Sequence, residues 1–67
     1  MLNFYVAKMR GDDVKAVAAV HARSDILAAL AGSDKPIKPG RKPKDPDAPW
    51  VLVTHIASGR TSEFLFA

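Results

Sequence analysis

The sequence predicts an α+β fold, a single small domain with the element order β-α-β-β, in which a three-stranded antiparallel sheet carries one helix on one face. Aromatic and β-branched residues near both ends favour strands, an alanine-rich middle favours a helix, and a proline-rich segment separates that helix from the last strands. The chain has 67 residues, which suffices for one domain, residues 1–67, and not for two.

The first strand is predicted over residues 2–9. Phe4, Tyr5 and Val6 favour extended backbone, and no helix-start signal precedes them. Gly11 follows the segment and ends it.

The helix is predicted over residues 14–31, which are rich in alanine and leucine. Asp12 or Asp13 would cap its N-terminus, and Gly32 would end it in the left-handed conformation. Its apolar stripe is interrupted near Ser24, which can act as a second N-cap and divide the segment into two short helices. We favour one helix over two, either straight or kinked at the interruption.

A long loop is predicted over residues 33–49. This segment holds all five prolines of the chain and five of its ten lysines and arginines. Proline removes backbone donors and fixes backbone angles, so neither a helix nor a central strand is expected there. Loops longer than about 12–15 residues are uncommon in compact domains and are often functional.

The C-terminal part is predicted to be a β-hairpin with strands at residues 50–57 and 61–66 and a turn at Ser58 and Gly59. Side chains alternate across a strand, and a two-residue or a four-residue loop leaves each on the same face. Face one carries Val51, Val53, His55, Ala57, Ser62, Phe64 and Phe66. Face two carries Trp50, Leu52, Thr54, Ile56, Thr61, Glu63 and Leu65. The helix is expected on face one, where phenylalanines lie across from valines.

Face two would then present large apolar side chains to solvent. Exposed apolar patches above a few hundred Å² usually mark interaction sites. The predicted partner-binding residues are therefore Trp50, Leu52, Ile56 and Leu65. In the alternative interpretation the loop folds back over this face, and Trp50 is a core residue held by Pro36, Ile37 and Pro39. The last strand would also leave an open edge suited to pairing with another strand.

The loop carries the strongest local charge feature in a chain of net charge +3. Its basic residues would contact nucleic-acid phosphates or an acidic protein partner: Lys35, Lys38, Arg41, Lys42 and Lys44. Residues 39–44 resemble the Gly-Arg-Pro hooks that enter the minor groove of AT-rich DNA. The Arg-Gly-Arg-Pro core of that motif is absent, so no residue role is carried over. Asp34, Asp45 and Asp47 flank the cluster and would repel phosphates, which favours a solvated loop.

The sequence contains no pattern typical of a catalytic, cofactor or metal site. His21 and His55 are too far apart in sequence to specify a metal site, although the helix and the core face would let them approach each other. A Ser-His-Asp arrangement can be drawn from Ser24 or Ser58, but no nucleophile-elbow pattern accompanies either serine. No enzymatic activity, cofactor or metal is therefore expected.

These features favour a small regulatory or inhibitory protein that acts by binding another protein, of a size and type common among phages and mobile elements. The alternatives are a nucleic-acid-binding module that uses the basic loop and a self-assembling homodimer joined through face two. The sequence contains no cysteine, no apolar run near the roughly 20 residues of a membrane span and no secretion signal, so a cytoplasmic protein without membrane contact is expected.

Overall fold

The computed structural model describes residues 2–67, and within them the chain forms a five-stranded antiparallel sheet with one helix. The elements are β1 (Leu2–Arg10), β2 (Asp13–Ala22), α1 (Asp25–Ser33), β3 (Ile37–Pro39), β4 (Pro49–His55) and β5 (Thr61–Phe66). The strands lie in the order β2-β1-β4-β5-β3. The predicted α+β class therefore holds, but the three-stranded sheet and the order β-α-β-β are wrong.

The largest correction lies in the segment predicted to be one helix, residues 14–31. Its first half, residues 14–22, belongs to β2, which pairs with β1. Gly11 and Asp12 form the two-residue turn between the strands, and Gly11 has a positive φ of 57°, which glycine adopts without a steric cost. Asp12 and Asp13 therefore cap no helix. Pairing with β1 satisfies the inward backbone groups of this segment and packs Val20 and Ala22 into an apolar cluster, and these long-range contacts outweigh a helix preference that is small per residue.

The helix that does form begins at the second of the predicted N-caps. The Oγ atom of Ser24 accepts a hydrogen bond from the backbone N–H of Leu27 at 3.3 Å. Asp25 lies in the first turn, where the helix dipole favours a carboxylate. The hydroxyl of Ser62 on β5 donates to the Oδ2 atom of Asp25 at 2.6 Å, so the start of the helix is tied to the sheet.

The C-terminal end of α1 also differs from the prediction. The helix continues through Gly32 to Ser33, and Asp34 takes the left-handed conformation with φ 59°. Gly32 instead allows the helix to approach β1, because a Cβ atom at this position would lie 2.6 Å from the Cβ atom of Val6. The buried Ser33 hydroxyl donates to the carbonyl oxygen of Lys35 at 3.0 Å. No helix within residues 2–67 is long and apolar enough to cross a membrane.

Each side of the sheet has its own apolar cluster. The helix side is formed by Phe4, Val6, Ala22, Ala28, Ala29, Val51, Val53 and Phe64, with Val20, Ile37 and Phe66 packed against them. The opposite side is formed by Ala7, Met9 and Trp50, with Leu52 and Leu65 at its margin. The predicted sorting into two faces is confirmed for the residues of β4 and β5, and so is the helix on face one, whereas Ile56 and Ala57 lie in the turn after β4.

The register of the hairpin follows the four-residue alternative. The N–H of His55 donates to the carbonyl oxygen of Arg60 at 2.8 Å, which leaves residues 56–59 as the loop. Val51 consequently lies opposite Phe64, and Val53 lies opposite Ser62.

The proline-rich segment is not a loop throughout. Its residues Ile37–Pro39 form β3, which pairs with the end of β5 and places Ile37 opposite Phe66. Over residues 64–66 the last strand therefore does not provide the open edge that the sequence predicts. Of the two outer strands, β3 has three residues and β2 has ten, so the long edge of the sheet lies at β2.

Candidate binding surface

Residues 40–48, which we call the strap, connect β3 to β4 and cross one end of face two. Gly40 passes directly over Leu65, since a Cβ atom on the glycine would lie 2.6 Å from the Cδ1 atom of the leucine. Further along, the Nζ atom of Lys42 lies 5.9 Å from the centroid of the Trp50 ring and also pairs with the carboxylate of Asp12. The Lys42 backbone N–H donates to Glu63 at 2.6 Å.

Trp50 is enclosed beneath this strap, with 4% of its surface exposed. Its indole N–H donates to the carbonyl oxygen of Gly11 at 2.7 Å, so the polar atom of the ring is satisfied within the chain. The position agrees with the interpretation of Trp50 as a core residue. The covering residues differ from those expected, because Ile37 packs on face one and the strap supplies the cover.

The four residues predicted to bind a partner do not form one surface. Leu52 and Leu65 are half-buried and pack against the cluster that contains Trp50. Ile56 lies in the turn after β4, where its backbone N–H donates to the carbonyl oxygen of Asn3 at 3.0 Å and its side chain is exposed. The structure therefore brings three of the four together and separates Ile56 from them.

The other half of face two has no covering segment within residues 2–67. Across β2, β1 and β4 the register aligns Val17 with Ala7 and Leu52, and it aligns Ala19 with Tyr5 and Thr54. Tyr5 is 50% exposed and Val17 is 58% exposed. We call these side chains the open patch, which consists of Tyr5, Val17, Ala19, Leu52 and Thr54.

Sequence reasoning identified one residue of the open patch as a site residue and missed the rest. The sequence predicts Val17 and Ala19 within a helix, and that prediction hides the face that they share with Tyr5. The missed signal is the pair Gly11-Asp12 between two apolar segments, a typical two-residue hairpin turn.

The five basic residues of the proline-rich segment are exposed but do not share one surface. The Nζ atom of Lys35 lies 5.8 Å from the ring centroid of Phe66, a face-one residue. Lys38 pairs opposite Leu65 and so belongs to face two. Arg41, Lys42 and Lys44 lie on the strap, where Lys42 is paired with Asp12. An extended phosphate-binding row is therefore interrupted.

The two histidines lie on opposite faces of the sheet. His21 pairs opposite Asn3, and His55 pairs opposite Phe4. Asn3 and Phe4 are adjacent on β1, so they and the histidines opposite them point to different faces. The Nδ1 atom of His55 is 2.7 Å from the Oγ atom of Ser58, which also accepts from the N–H of Arg60. This pair stabilises the hairpin turn.

Residues 2–67 contain no group of three or more histidine, aspartate or glutamate side chains placed to hold a metal ion. Comparisons with protein-family models, with curated proteins and with solved structures find no match to this chain. We therefore infer its function from its geometry and chemistry.

Proposed function

We propose that this chain is a small non-enzymatic binding protein that acts by protein–protein contact through the open patch. The observation that carries the proposal is the exposure of Tyr5 and Val17 on a sheet face whose other half is buried by the strap. A half-solvated antiparallel sheet normally directs polar residues outward, and here every residue of the open patch except Thr54 is aliphatic or aromatic. Covering it with a partner removes apolar surface from water.

The composition of the open patch suits a protein partner. Tyrosine is enriched among the residues that dominate binding energy, because it combines a large apolar ring with a hydroxyl group. Thr54 is half-buried beside it and adds a hydroxyl that can bond with a partner. Leu52 connects the patch to the buried cluster, so the surface is held on rigid strands.

The strap, which covers the closed half of face two, carries exposed basic residues together with Asp45 and Asp47. Arg41 and Lys44 are exposed on it, and Lys38 lies on the same face of β3. Such charges steer encounter with an acidic partner and add little to the final affinity. A regulatory or inhibitory role fits a chain that can occupy another protein's surface. The absence of cysteine from the sequence is compatible with a reducing compartment such as the cytoplasm.

Differential capture tests the proposal. The wild-type chain, Tyr5→Ser and Leu27→Ser are used as baits in an extract of the native host, and bound proteins are quantified by mass spectrometry. Leu27 is an exposed apolar residue of α1 and is the matched control on the other face. We expect a protein that is captured by the wild type and by Leu27→Ser and is lost with Tyr5→Ser. Equal capture by all three baits, with folding verified by circular dichroism, would refute the open patch as the contact.

A further inference from the structure

The two edges of the sheet differ in length and in protection. The edge at β3 has three residues, and proline at position 39 cannot donate a backbone hydrogen bond. The edge at β2 has ten residues, of which eight are exposed. Natural sheets protect a long edge with charges, prolines or covering segments, because its free backbone groups invite another strand. On β2 the charges of Asp13 and Lys15 and a bulge at Lys15 lie at the N-terminal end, whereas residues 16–20 carry none of these protections.

The hydrogen-bond pattern identifies the free backbone groups of β2. The carbonyl oxygen of Asn3 accepts a hydrogen bond from the N–H of Ile56, just beyond β4. Backbone groups alternate in direction along a strand, so the odd-numbered residues of β1 form hydrogen bonds with β4. The even-numbered residues of β1 form theirs with β2. The partners of those even-numbered residues therefore bond inward: Ala16, Ala18, Val20 and Ala22. The alternate residues direct their N–H and C=O groups away from the sheet: Val17, Ala19 and His21. No strand of residues 2–67 lies beyond them.

We propose that β2 pairs with β2 of a second copy of this chain, in antiparallel orientation, and joins two five-stranded sheets into one continuous sheet. A twofold axis between two identical strands produces this orientation, and it would lie near Ala18 and Ala19, at the centre of the uncharged segment. The proposal goes beyond the binding role of the open patch, because it uses the backbone of the edge and not the side chains of the face.

A second copy is favoured over a foreign strand by the side chains along the edge. Residues 16–20 are alanine and valine, whose small side chains leave room for an identical strand beside them. They carry no charge, so this central part of the edge adds no like-charge repulsion between two copies, although the chain has a net charge of +3. The short, proline-containing β3 edge offers no equivalent site, so the association closes at a dimer and forms no filament.

The dimer would also bring the open patches of the two copies together on one side of the joint sheet. A twofold axis perpendicular to the joint sheet places both helices on one side and both open patches on the other. Because Val17 and Ala19 lie on the paired strands, the two patches would meet across the axis. A small domain gains stability in this way, since burial at the interface adds to a limited core.

Amide hydrogen exchange measured by NMR at several protein concentrations tests this pairing in the wild-type chain. The inward N–H groups of Ala18 and Val20 serve as internal controls and should be protected at every concentration. Those of Val17, Ala19 and His21 should become protected as light scattering shows the dimer forming. A chain that stays monomeric up to millimolar concentration, or a dimer in which these three exchange freely, would overturn the proposal.

A pair of variants tests the same contact independently. Ala19→Pro removes an N–H donor that points away from β1, so the fold should survive. The dimer should weaken by at least about 30-fold, because twofold symmetry makes the substitution remove two hydrogen bonds from the interface. Ala19→Ser retains the N–H and should dimerise as the wild type does. A folded Ala19→Pro variant with unchanged dimerisation would place the contact elsewhere. Binding through the open patch is tested separately by Tyr5→Ser, so either proposal can fail alone.

Discussion

The indole N–H of Trp50 and the carbonyl oxygen of Gly11 form a buried hydrogen bond of 2.7 Å that fixes the start of β4 against the β1–β2 turn. The bond lies in the closed half of face two, which the strap covers, and the other half is open. On the closed half the tryptophan lies under the strap and beside Met9. On the open half Tyr5 and Val17 remain exposed.

Trp50→Phe should lower the free energy of unfolding by about 1–3 kcal/mol, because it leaves the buried Gly11 carbonyl without its donor. Urea unfolding followed by circular dichroism at one fixed protein concentration measures the loss. Tyr5→Phe is the control, since it removes a polar group from an exposed ring. Equal stability of the two variants would mean that the bond to Gly11 does not stabilise the fold.

Gly40→Ala should loosen the strap, because the added methyl group would occupy the space of Leu65. Trypsin provides the measurement, since opening the strap exposes the bonds after Arg41 and Lys44 to faster cleavage. In a Leu65→Ala background the same substitution should accelerate cleavage less, as room for the methyl group has been made. If Gly40→Ala is cleaved at the wild-type rate, the strap does not rest on Leu65.

Ser24→Ala should destabilise the protein by about 1 kcal/mol, because the first turn of α1 loses its side-chain cap. Ser24→Asp retains a capping oxygen and should keep most of the wild-type stability. Thermal or urea unfolding compares the three chains. Were the alanine and aspartate variants equally destabilised, the helix would not begin at this residue.

Changing Lys35, Lys38, Arg41, Lys42 and Lys44 to serine should leave capture of a protein partner largely intact, with a slower association rate at low salt. The physical reason is that exposed charges steer encounter, whereas the apolar patch provides the contact. Surface plasmon resonance with the captured partner gives both rates. Loss of partner capture by this variant, together with salt-sensitive binding of DNA or RNA by the wild-type chain, would favour the nucleic-acid alternative.

The sequence is informative about the hairpin because its two faces differ in composition. Val51, Val53 and Phe64 alternate with residues of the other face, and β4 and β5 form with this sorting. Ser24 is visible as an N-cap because serine accepts hydrogen bonds from free helix amides. These are local signals, and they are retained in the fold.

The segment before Ser24 could not be assigned correctly from propensity and spacing. Val14, Val17 and Val20 recur every three residues, which imitates a helical stripe, and the alanines between them favour helix. The bulge near Lys15 also interrupts the two-residue alternation of β2. The strap is equally hidden, because its contact with Leu65 and Trp50 depends on tertiary packing.

Both the open patch and the dimer edge require β2 to lie beside β1 in the observed register. Nuclear Overhauser contacts between the Hα protons of non-hydrogen-bonded pairs test this most directly, since these protons approach closely in antiparallel strands. We predict such contacts between Tyr5 and Ala19 and between Ala7 and Val17. Helical contacts between residues three apart throughout 14–22, with neither cross-strand pair observed, would contradict the account.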